Sequence, residues 1–154
     1  MNKIATVVAL GMSLCATGCG GDGKIDVKGE VTIADRIGSN GGIAADSPDP
    51  VDGGSCHGTG GYDDIAAGAD VVVHDSGNIV IGSSTLGSGT LKDVADLGGG
   101  TIMAKCVFPY EVKDVEGATE RGNSVTVGHK RKGPAFTKDK LGSGHAGITI
   151  GSAS

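Results

Sequence analysis

The side chains of this sequence that could do chemistry are thinly spread. Its four histidines, His57, His74, His129 and His145, stand at least 16 residues apart. None of the short Cys–Cys or His–His spacings that hold zinc occurs, and Cys56, His57 and Cys106 do not supply one. There is no GxSxG elbow, HExxH helix or Walker-type loop, and nothing pairs a histidine with a nucleophile. No catalytic residue is therefore expected. The carboxylates are better grouped. Asp46, Asp49 and Asp52 recur every third residue, and Tyr62-Asp63-Asp64 follows Cys56. Oxygen ligands on a loop suit calcium, so these three aspartates are the metal candidates and calcium is the one cofactor to weigh. The spacing is not that of an EF-hand, and Pro48 and Pro50 stiffen the run, so a solvated acidic loop is the preferred reading. Tyr62, Asp63 and Asp64 are the candidate ligand-binding residues, with Tyr62 read first as a packing residue near Cys56.

Two stretches fit GxGxxG literally, Gly142 to Gly147 and Gly18 to Gly23. A nucleotide fingerprint needs a strand before it and a helix after it, so that the pyrophosphate meets a helix N-terminus. The first precedes a strand-like segment and the second straddles the expected cleavage site. With 30 glycines in 154 residues, such matches arise by chance.

The leader tells most about the chain's address. Asn2-Lys3 is a positive start, and Ile4 to Leu14 is an apolar run of the length of a signal-peptide core, well short of the roughly 20 residues that span a bilayer. Ala16-Thr17-Gly18-Cys19 follows, then Gly20-Gly21. This resembles the lipobox of bacterial lipoproteins. The resemblance implies cleavage before Cys19 and acylation of its thiol, making residues 1–18 a signal peptide and 19–24 a lipidated tether. The bilayer then becomes a partner through acylated Cys19, on the extracytoplasmic face of the cell membrane or in the periplasm. An ordinary secretory signal cut near Ala16 is the alternative. With Cys15 lost and Cys19 acylated, Cys56 and Cys106 remain, and an exported chain with two cysteines reads as carrying one disulfide. It would close a loop of about 50 residues and stabilise by roughly 3–4 kcal/mol.

Composition fits an exported domain with a thin core. There are two Tyr, two Phe and no Trp, so burial rests on Val, Ile and Leu and is small per residue. Net charge is −5, or about −6 once residues 1–18 are removed, which argues against nucleic acid as a partner. Charge is also segregated. Asp35 to Asp75 holds eight acids and one base, and Arg121 to Lys140 six bases and one acid. Lys130-Arg131-Lys132 reads as a charged hairpin tip that blocks edge pairing, or alternatively as a patch for anionic headgroups.

The elements that must position these residues are short strands. Ile25, Val27, Val31 and Ile33 alternate with polar residues, the pattern of a half-buried strand, with Gly29 a candidate bulge. Ala69 to His74 and Asn78 to Gly82 form a hairpin around Asp75-Ser76-Gly77-Asn78. Thr101 to Val112 is the longest strand, with Pro109 marking an edge or bulge. Ser124 to His129 and Ile148 to Ile150 complete the set. Residues 36–61 and 83–100 read as Gly/Ser-rich loops, Leu91 to Leu97 as a candidate helical turn, Lys130 to Pro134 as a turn, and Thr137 as the cap of one turn through Leu141. The expected fold is all-β: residues 25–154 as a single antiparallel β-sandwich of six to seven short strands, stapled by one disulfide. Val71-Val72-Val73-His74-Asp75, the run from Cys106 to Val112, and Val125-Thr126-Val127 resemble transthyretin-like or carboxypeptidase-regulatory sandwiches. That resemblance implies a non-catalytic module. The functional expectation is thus a membrane-anchored, extracytoplasmic binding or interaction module with an unknown protein or small-ligand partner. The alternatives are a prophage-encoded superinfection-exclusion or immunity lipoprotein, and, less favoured, a small hydrolase or metal-dependent enzyme.

Overall fold

The computed structural model describes residues 23–129 and 131–151; the leader, Cys19 and Lys130 lie outside them. Two long strands organise everything else. β1 (Ile25–Ile37) and β7 (Ile102–Val115) pair antiparallel along almost their whole length, from Ile25 opposite Val115 to Ile37 opposite Ile102. At about 3.3 Å per residue, β1 runs roughly 40 Å. Alternation places Val27, Val31 and Ile33 of β1 beside Cys106, Phe108, Tyr110 and Val112 of β7, all buried. The opposite face carries Lys28, Glu30, Lys105 and Glu111.

Around this pair the chain builds two sheets. The first continues from β7 through β6 (Gly89–Asp96), β3 (Ser55–Gly58) and β2 (Ile43–Ala45), and β2 returns to β1 at Ile37–Ile43. β10 (Ile148–Ile150) adds to β1 beside Val31 to Ile33. The second sheet is antiparallel, in the order β5 (Val80–Thr85), β4 (Asp70–His74), β8 (Asn123–Val127), β9 (Arg131–Phe136). It packs onto the first through Gly82, where a Cβ would touch Val112 and Val115. One continuous core joins both sheets, from Ile33, Leu91 and Phe108 to Val71, Val73, Val125 and Phe136.

The all-β class, the two sheets and the single disulfide agree with expectation; the details differ in informative ways. There are ten strands among the described residues rather than six or seven, and β2 and β10 join β1 in parallel. The 36–61 stretch contains β2 and β3, and the 83–100 stretch contains the end of β5 and all of β6. Leu91 to Asp96 is strand rather than helix, and Leu97 begins the turn after it. Asp93, at φ 54°, sits in a register shift between Lys92 and Ala95. That slip displaces the apolar residues to a three-residue spacing that imitates a helix. Lys130 to Pro134, read as a turn, mostly belongs to β9, where an edge position accommodates Pro134. Pro109 lies in β7 just past the start of β6, where its carbonyl accepts from Gly87 N–H. Thr137 does cap a single turn: its Oγ1 accepts from Lys140 N–H at the start of α1 (Lys138–Gly142).

Candidate functional site

Cys56 and Cys106 form the disulfide, with their Cα atoms 6.0 Å apart and a sequence separation of 50. β3 and β7 are not neighbours, because β6 lies between them. In a flat sheet, strands two apart are separated by about 9.5 Å. The bridge therefore requires the sheet to curl tightly over β6. Gly89, paired with Cys56, makes this fit, because a Cβ there would collide with the Cys56 carbonyl and the Phe108 ring. The bond staples the thin core where the sheet bends back on itself.

Tyr62 and Asp64 are brought together with a residue that sequence reasoning did not connect to them, Arg131. The 3-10 turn Gly60–Tyr62 carries the tyrosine, and β9 brings in Arg131 from 67 residues away. Arg131 Nε and Nη2 donate to the Asp64 carboxylate at 2.8–3.0 Å, and Nη2 also donates to the Gly61 carbonyl. His129 N–H donates to Asp64 Oδ2 at 3.0 Å. The guanidinium lies 5.3 Å from the Tyr62 ring centroid, within cation–π range. The Asp64 side chain is only 6% exposed and that of Arg131 33%. The hydrogen bonds from Arg131 hold the Asp64 carboxyl well down, at about 2, so it stays ionised as a latch and is a poor proton carrier. Asp63, beside it, is exposed.

The three loop aspartates do not converge. Asp46 Oδ1 contacts His57 Nδ1 at 3.2 Å, and Asp52 Oδ1 accepts from Val94 N–H at 2.8 Å, tying the loop to β6. Asp49 has its N–H on Ser47 Oγ. Among the described residues, no three His, Cys, Asp or Glu side chains gather as a metal site. Two histidines do have polar neighbours: His57 has Asp46, and His145 Nδ1 lies 3.1 Å from Ser143 Oγ. The Ser143 hydroxyl donates to the Lys140 carbonyl, so its lone pair accepts from the ring. That is the reverse of the arrangement that would activate it as a nucleophile.

A concavity of about 840 Å³ lies beside the first half of β1. One wall is Gly144, His145 and Gly147 of the GxGxxG-like segment; the other is Ser84, Thr85 and Gly87; Lys28, Glu30 and Glu111 line it as well. Lys28 pairs with Glu111 at 3.2 Å. The Gly142–Gly147 segment leads from α1 into β10 with no helix after it, so its role is that of a wall. It closes tightly on β1: Tyr110 Oη donates to the Ala146 carbonyl, and a Cβ at Gly29 would overlap both groups. Burial pushes the Tyr110 phenol above its ordinary range, leaving it a fixed donor. The charged lining is thus one lysine against two glutamates, among backbone and hydroxyl groups able to hydrogen-bond a polar ligand.

Comparison with protein-family models, with curated proteins and with solved structures gave no match.

Proposed function

We propose that this chain is a lipid-anchored lipoprotein of the bacterial cell envelope, held through Cys19, whose folded part acts as a non-catalytic binding module. The observation that carries the reading is the use of the cysteines. The two that remain after a lipobox-type leader, Cys56 and Cys106, are the two that pair, as befits an oxidising, extracytoplasmic compartment. The leader, Ala16-Thr17-Gly18-Cys19 and the short 19–24 tether support attachment directly. Support for the non-catalytic part comes from the latch chemistry of Asp64 and from the transthyretin-like segments. These map onto β4 and β8, paired in one sheet, and onto β7 in the other. The groove between the 144–147 loop and Ser84–Gly87 is the binding surface in this reading. The test is the mass of the N-terminal fragment of the protein purified from membranes. Cleavage between Gly18 and Cys19, with a mass increment of acyl chains on Cys19, is the expected result; an unmodified N-terminus near Thr17 would point to plain secretion.

A further inference from the structure

We propose that Ile79 and Val80 form a foot that seats the domain on the lipid bilayer, entering the boundary between headgroups and acyl chains. The inference rests on the anchored reading above and adds an orientation to it. Ile79 and Val80 are 64% and 58% exposed and adjacent in sequence. Their place in the fold is what gives them meaning. Lys24, just ahead of β1, pairs with Glu116 at 2.9 Å, and Ile25 stands opposite Val115. The hairpin before β5 reaches the same end: Gly82 faces Val112 and Val115, Ile81 packs near Gly117, and Ser76 lies near Gly122. Residues 79–80 therefore lie at or beyond the level at which β1 begins.

The tether makes that end the one facing the membrane. Gly23 lies only four positions after Cys19 in sequence, a reach of at most about 14 Å. The turn is also ordered in advance. Asp75 Oδ1 accepts from both Gly77 and Ile79 N–H at 2.8 Å, and Asp75 N–H donates to the Ile79 carbonyl. Asn78 takes φ 64° between them. Seating the foot thus costs little further backbone entropy. Among the described residues, the other two large exposed apolar side chains lie elsewhere, Leu97 in the β6–β7 turn at the far end of β1 and Val51 near Gly54 and Leu91. Charge at this end is mixed: Lys24 is met by Glu116, and Lys138 and Lys140 of α1 flank Asp139. Apolar burial rather than attraction to anionic lipid is then the recognition, and it should resist salt.

The chain has no tryptophan, so Ile79→Trp in the full-length acylated protein is a sole reporter. In vesicles of phosphatidylcholine and phosphatidylglycerol, its emission should shift to the blue by about 10–20 nm. Lipids brominated near the headgroup should quench it at least twofold, at low and high salt alike. Leu97→Trp should keep water-like emission. An unshifted, unquenched Ile79→Trp on protein that still floats with the vesicles would overturn the foot while leaving the anchor intact. A blue shift without bromolipid quenching, rising with protein density, would overturn it in favour of pairing between copies. Failure of the native protein to float would overturn the anchored reading and the foot together.

Discussion

Folding alters the chemistry of Asp64 in a way that pH can read. Its carboxyl titrates at about 2 in the folded chain against about 3.9 when exposed. A lowered carboxyl pKa stabilises the fold fully above the unfolded value, and that contribution is lost as pH falls from about 4 through 2. Allowing for solvent around the one-third exposed Arg131, the effect should be roughly 1–2 kcal/mol. Urea unfolding at pH 5 and pH 2.5 should show this loss in the native chain and a clearly smaller pH dependence in Asp64→Asn. Equal slopes would mean that the latch adds nothing. Tyr62 and Asp64 were legible in the sequence as a polar group near Cys56. Arg131 was not, because no local pattern links residues 67 apart, and a run of three bases looks the same whether it is solvated or folded inward.

At the scale of elements, the two long strands could be read from alternation alone, whereas β2, β3 and β6 could not. Their inner faces use glycine and small residues where the sheet curls, as Gly89 shows, and the bulge at Asp93 breaks the period of two in β6. Pairing with β7 and the disulfide, both tertiary, decide those segments. Replacing both cysteines, Cys56→Ala with Cys106→Ala, should lower stability by roughly 3–4 kcal/mol, read as a fall in the urea midpoint under non-reducing conditions. A change below about 1 kcal/mol would show that the curl over β6 holds without the staple. β9 carries Arg131, Lys132 and Pro134 at the edge of its sheet, where charge and proline guard against stray pairing.

At the scale of the whole molecule, the strands give the domain two ends. The start of β1, the turn at 75–80 and α1 share one; the turn at 97–101 and the β8–β9 connection share the other, with Gly128 N–H on the Asp70 carbonyl. The basic run thus meets the end away from the tether, which favours edge protection over contact with headgroups. Lys132→Glu should accordingly leave the membrane-bound fraction unchanged, and a drop of half or more would restore the headgroup reading. The proposed address rests on the first nineteen residues, and the proposed orientation on the fold. The central claim, attachment through the Cys19 lipid, meets its most direct test in fractionation of cells making native protein or Cys19→Ser. The native chain should sediment with membranes and resist extraction by high salt and carbonate, and the variant should appear in the soluble extracytoplasmic fraction. Retention of Cys19→Ser on the membrane to the same extent as the native chain would contradict the account.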